Sequence, residues 1–115
     1  VLSGKYQNGA WPEGARFSKY QNAAPRQRVM ADRFVNDRAL AATARYLSIA
    51  AEGGLHPVTL ATAWSKQHDY VASTIVGVTS LDQVDPILAA ADMVLPDDVM
   101  KALDQVHRDI PYPMG

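Results

Sequence analysis

Cysteine is absent from this chain of 115 residues. That excludes a disulfide scaffold and a thiolate metal site, and it fits a reducing compartment. Long apolar runs are missing too: none approaches the roughly 20 residues that span a bilayer. The opening VLSGKYQNGA has neither the basic segment nor the apolar core of a secretion signal. It also starts without methionine and reads like the middle of something. A cytoplasmic protein with no membrane partner is the expectation. Neither sign of charge dominates, because the formal net charge is −1. No bulk electrostatic force therefore draws the chain to nucleic acid. The three histidines, His56, His68 and His107, have spacings that match no helix-face pair, and no metal site is expected from them.

The composition is that of a globular domain, 48% hydrophobic and 20% charged, enough for one modest core. Residues 1–25 are rich in breakers, with Gly4, Gly9, Pro12, Gly14 and Pro25, and predict a long loop with a turn at Asn8-Gly9. Residues 26–35 predict an exposed helix. A longer one follows, capped by Asn36 or Asp37, with Leu40, Ala44, Leu47 and Ala51 on one face and Gly53-Gly54 as its stop. Pro57 suits the first position of the next helix. Leu60, Ala61 and Trp64 mark its buried stripe, and His68-Asp69 its end. Residues 71–76 are nearly continuously apolar, which predicts a strand covered on both faces, as in a parallel sheet.

The stretch STIVGVTSLDQV, residues 73–84, joins that strand to a helix expected over residues 80–90. Ser80 and Gln83 have capping-box spacing. Pro86 would then lie too deep, so either the helix bends or its first turn is separate. A last helix starts at Pro96, with Asp97 and Asp98 at its positive end and Val99, Leu103 and Val106 facing the core. One strand and about four helices do not balance, so a piece of a larger α/β fold is expected.

LSGKY, PEGAR, GLHPVTLATAW, VASTIVGVTSLDQV and LDQVHRDIPYP occur in this order. Together they resemble the C-terminal part of an aldo-keto reductase. The similarity is to the branch holding bacterial Tas-like proteins and the β-subunits of voltage-gated potassium channels, and it covers nearly all of the chain. The resemblance implies the end of a (β/α)₈ barrel, a fold of roughly 250 residues when whole. Within it, residues 1–115 would form a single portion: a cofactor-covering loop over 1–25, then the last helices and last strand over 26–115. It implies NADPH as cofactor and a small carbonyl compound as substrate. By resemblance, Gly77, Thr79 and Gln83 are cofactor positions, with Gln83 at the adenosine, and Lys5 and Arg16 reach the phosphates. The family's catalytic tyrosine, lysine, aspartate and histidine lie on earlier strands, so no residue here is assigned a catalytic role.

The sequence departs from the family at three positions. Ile87 replaces an adenine-contacting asparagine, Pro86 replaces the acid before it, and Gly14 stands where the channel subunits have tyrosine. Simpler readings stand beside the functional ones. Ser80 and Gln83 can be a helix cap, Gly77 a strand end, and Lys5 and Arg16 solvated loop charges. Trp64 reads as core, and Trp11 either packs or covers the substrate mouth. The alternative to an enzyme portion is a non-catalytic helical module. It would associate with itself or with a protein partner through the apolar faces of Leu40, Leu47, Leu60 and Trp64.

Overall fold

The computed structural model describes residues 1–114, and Gly115, the last residue of the expected portion, lies outside them. Among the described residues, six α-helices carry the fold: α1 (Arg16–Gln21), α2 (Pro25–Phe34), α3 (Asp37–Glu52), α4 (Pro57–Gln67), α5 (Val84–Leu88) and α6 (Asp97–Asp109). Short 3₁₀ turns lie at Gln7–Gly9 and Leu81–Gln83. Among the described residues, no helix is long and apolar enough to cross a membrane.

The caps explain where the main helices begin. Asn36 Oδ1 accepts the Ala39 N–H at 3.0 Å and starts α3, satisfying one of the orphan donors of its first turn. His56 Nδ1 accepts the Val58 N–H at 3.2 Å ahead of Pro57. Gly53 and Gly54 end α3, and Gly54 adopts a left-handed φ of +64°, a conformation glycine takes without a Cβ penalty. Pro25 and Pro57 sit in the first turns of α2 and α4, where no intrahelical N–H is lost.

The core lies where α3, α4 and α6 meet the segment after α5. Ala50, Leu60, Ala63, Ala90, Leu95 and Leu103 form its buried centre. Gln67 clasps the segment that enters α6: its Oε1 accepts the Leu95 N–H at 2.6 Å and its Nε2 donates to the Leu95 carbonyl at 3.0 Å. The Thr59 hydroxyl donates to the Pro86 carbonyl at 2.6 Å and binds α5 to α4. The C-terminal tail turns back along the α2–α3 elbow. There Arg38, Asn36 and Arg33 donate to the carbonyls of Pro111, Pro113 and Met114.

The expected α/β character is not seen: among the described residues there is no β-strand. Residues 71–76 carry no regular structure, and Ile75 is 97% exposed rather than covered. A strand needs a neighbour to take its backbone N–H and C=O groups, and no second strand-forming segment lies within the chain. The segment is tethered only locally. The Val71 N–H bonds the His68 carbonyl at 2.9 Å, and the Ser65 and Thr74 hydroxyls meet at 3.2 Å.

Other expectations shift for packing reasons. Part of the predicted loop over residues 1–25 folds into α1, because Phe17 stacks on Phe34 with centroids 5.3 Å apart. The buried side of α3 is Ala39, Ala42, Thr43 and Ala50, whereas Ala44 and Ala51 face solvent. Small residues let α4 and α6 approach, so the contact stripe runs one position off the leucines. Trp64 is 39% exposed, and Ala63 takes its expected place in the core. The first turn before α5 is separate and 3₁₀, which leaves Pro86 in the opening turn of α5. Proline is tolerated there.

The whole is open. The chain exposes 7750 Å², against about 6,200 Å² for a compact monomer of its 12.5 kDa. Its radius of gyration is 14.6 Å, against about 13 Å for that length. Apolar side chains such as Ile75 and Leu81 are among those left exposed.

Two outcomes test the packing. Leu95 is 2% exposed in the core, so Leu95→Ala lowers stability by about 2–5 kcal/mol in urea unfolding. Asp109 accepts from Arg45 at 2.7 Å and from Gln105 at 2.7 Å. These bonds, the one from Arg45 foremost, hold its carboxyl below the ordinary carboxylate range. Its folded state therefore ionises at lower pH than the unfolded chain. The resulting stabilisation is present above the unfolded value and is lost as pH falls through the folded one. Titration of the Asp109 carboxyl carbon by NMR should move upward in Arg45→Gln.

Candidate functional site

The turn that follows the exposed apolar segment is built from side chain to backbone. Gln83 reaches back four residues: its Oε1 accepts the Thr79 N–H at 3.2 Å and its Nε2 donates to the Thr79 hydroxyl at 3.2 Å. The capping partner is thus Thr79 rather than Ser80, whose side chain makes no cap bond. The clasp fixes the path from Gly77 into the 3₁₀ turn. The amides of Leu81 and Asp82 open that turn, and the first N–H groups of a helical segment have no intrahelical acceptor.

Gly77 is exposed, and a Cβ built on it would meet nothing within 4 Å. Its φ is not left-handed, so neither conformation nor packing inside the chain requires glycine. What a glycine provides here is a bare backbone that another molecule or segment can approach. Ile87 is half-buried beside this turn on α5 and offers no polar atom to a base.

Lys5 and Arg16 belong to a second cluster. Tyr6, 2% exposed, is the centre of it, with Trp11 at 5.6 Å and Phe17 at 5.8 Å between ring centroids. Its hydroxyl accepts the Phe17 N–H at 3.2 Å and so satisfies one donor at the start of α1, where Ala15 supplies no side-chain cap. This one tyrosine sets the position of both cations, since Lys5 precedes it and Arg16 precedes its bonded partner. Gly4, at φ +80°, packs against Leu47 of α3, and Gln7 Nε2 donates to the Leu40 carbonyl at 2.9 Å. The arm is thereby seated on α3.

Lys5 and Arg16 are both exposed. Among the described residues, neither makes an ion pair. Arg16 is the first residue of α1, whose first turn holds no acid. A bare cation at the positive end of a helix is mildly unfavourable, and an anion bound there would remove that penalty. Thr79 and Gln83 are joined directly and Gly77 lies beside them in sequence. Among the described residues, no hydrogen bond or ion pair connects these three to Lys5 or Arg16.

Sequence reasoning missed Tyr6 as the organiser, because its role comes from Phe17 and Trp11 folding onto it. It also missed a groove of about 350 Å³ between α3, α4 and α6, lined by Tyr46, Leu60, Trp64, Tyr70, Leu103 and Asp104 among others. Among the described residues, no group of three His, Asp or Glu side chains is placed to hold a metal ion.

Residues 2–108 match the profile of the Aldo/keto reductase family, to which the chain belongs. It is similar to protein Tas of Escherichia coli (strain K12), at 33% identity over 113 residues covering 98% of this chain and 30% of that protein. It is also similar to a probable voltage-gated potassium channel subunit beta of Arabidopsis thaliana, at 33% over 115 residues, 96% of this chain and 33% of that one. A putative subunit of the same kind from Schizosaccharomyces pombe is 29% identical over 110 residues, 92% and 30% of the two chains. The chain thus spans about a third of the length of these relatives.

The free space at Gly77 yields a direct test. Gly77→Ala should leave the thermal unfolding midpoint unchanged, because its Cβ enters open space. If the bare backbone serves a nucleotide, the same variant weakens NADPH binding about tenfold by fluorescence titration.

Proposed function

We propose that this chain is the C-terminal, NADPH-binding portion of an aldo-keto reductase whose complete form reduces a small carbonyl substrate in the cytoplasm. The observation that carries the reading is the apolar segment 71–76, uncovered on its own and followed by Gly77 and the Thr79–Gln83 clasp. Paired with neighbouring strands of a barrel, it would be the last strand. The turn would then lie at the carboxyl end of the strands, where barrel enzymes bind their ligands.

The residues present fit the phosphate end of such a cofactor. Gly77 admits close backbone approach, the turn amides offer donors, and Lys5 and Arg16 bring two cations that the fold itself leaves without acids. Gln83, held by Thr79, would face the adenosine. Ile87 supplies packing rather than a hydrogen bond, so the adenine would be held less specifically than at an asparagine. When bound, NADPH supplies a hydride for a carbonyl carbon. This portion positions the nucleotide and supplies no acid for the carbonyl oxygen, so by itself it should be inactive.

A second reading rests on the excess exposed surface: the same apolar segment would be covered by another copy, giving a non-catalytic oligomer. NADPH fluorescence titration alongside size-exclusion chromatography separates the two. Under the first, NADPH binds without carbonyl turnover, and Lys5→Ala or Arg16→Ala weakens it about tenfold or more. A defined oligomer with no NADPH binding would overturn it in favour of the second.

A further inference from the structure

The groove between α3, α4 and α6 shares no residue with the nucleotide reading, and its chemistry is different. Its wall is a run of rings: Trp64 meets His68 edge-on at 4.7 Å between centroids, and Tyr70 stacks on His68 at 5.1 Å and 15°. Tyr46 adds a third electron-rich ring, and Leu60 and Leu103 form part of the apolar lining. Asp104 is the carboxylate of the lining, which otherwise holds no lysine, arginine or glutamate, and among the described residues it makes no ion pair. The nearby cation Arg45 is engaged elsewhere, by Asp109 at 2.7 Å.

A cavity of about 350 Å³ lies within the size range of small-molecule sites, which begin near 300 Å³ and are mostly apolar with a few placed polar groups. The faces of indole and phenol rings carry negative potential and attract cations. A carboxylate beside them selects the same sign. Asp104 acts on the groove's own groups: burial raises the Tyr46 phenol above its ordinary value, Arg45 opposes this, and the Asp104 charge adds to it. An anion would meet repulsion from the ring faces and from the Asp104 carboxylate, and a neutral apolar molecule would leave the carboxylate unused.

We propose that this groove binds a small organic cation, an amine or quaternary ammonium carried on an apolar body. The apolar part would lie along Leu60 and Leu103, and the charged group would sit against Trp64 and Tyr70 within the field of Asp104. Such a ligand bridges α3, α4 and α6, the three helices that build the core, so its binding stabilises the fold.

The test uses benzyltrimethylammonium and its uncharged carbon isostere neopentylbenzene, titrated into the chain while the Trp64 indole N–H resonance is followed by NMR. The cation should shift that resonance and raise the unfolding midpoint. Asp104→Asn, at an exposed position, should weaken the cation about threefold or more and leave the isostere unchanged. Lys5→Ala, which lies outside the groove, should leave cation binding intact, which separates this site from the nucleotide reading. Absence of any shift at millimolar cation, equal affinity in Asp104→Asn, or equal binding of the uncharged isostere would overturn the proposal.

Discussion

The backbone polar groups of residues 71–76 have no ladder to join, and the rest of the structure is organised around that deficit. Helices satisfy their own hydrogen bonds, so α2, α3, α4 and α6 form from local sequence and pack wherever small residues allow. A strand cannot do this. With no neighbour the segment stays open, its apolar side chains meet water, and the surface exceeds that of a closed monomer by about a quarter. In a folded state of modest stability this much exposed apolar area invites a cover, whether further chain or another molecule.

The same deficit divides the candidate site. One half, Lys5 and Arg16, is anchored to α3 through Gly4 and Gln7 and organised by Tyr6. The other half, Gly77 with Thr79 and Gln83, is braced on itself and held to α4 through the Thr59 bond to Pro86. Each half is locally well specified. The segment that leads into the second half, residues 71–76, carries no regular structure.

What could be read from the sequence follows from how local each feature is. The start of α4 at Pro57, the cap at Asn36 and the core positions Leu103 and Val106 depend on residues three or four apart, and they were legible. Gln83 was legible as a reaching side chain, although its partner proved to be Thr79 rather than Ser80. The exact core stripe of α3 was not, since whether Leu47 or Ala50 faces inward depends on how closely α4 and α6 approach. Helix α1 was hidden because six residues carry little periodicity and Phe17 needs Tyr6 and Phe34 to hold it. The strand expectation failed for a physical reason: an apolar run over residues 71–76 becomes a strand only when a second segment pairs with it, and among the described residues none does.

The returning tail has a mechanical consequence. Asn36 uses its carbonyl oxygen to cap α3 and its amide to hold Pro113, while Arg33 and Arg38 grip the carbonyls on either side. One side chain therefore couples helix initiation to docking of the far terminus. Loosening either unlatches the other, and the two ends of α6, one clasped by Gln67 and one by this buckle, make that helix a strut bridging distant parts of the chain.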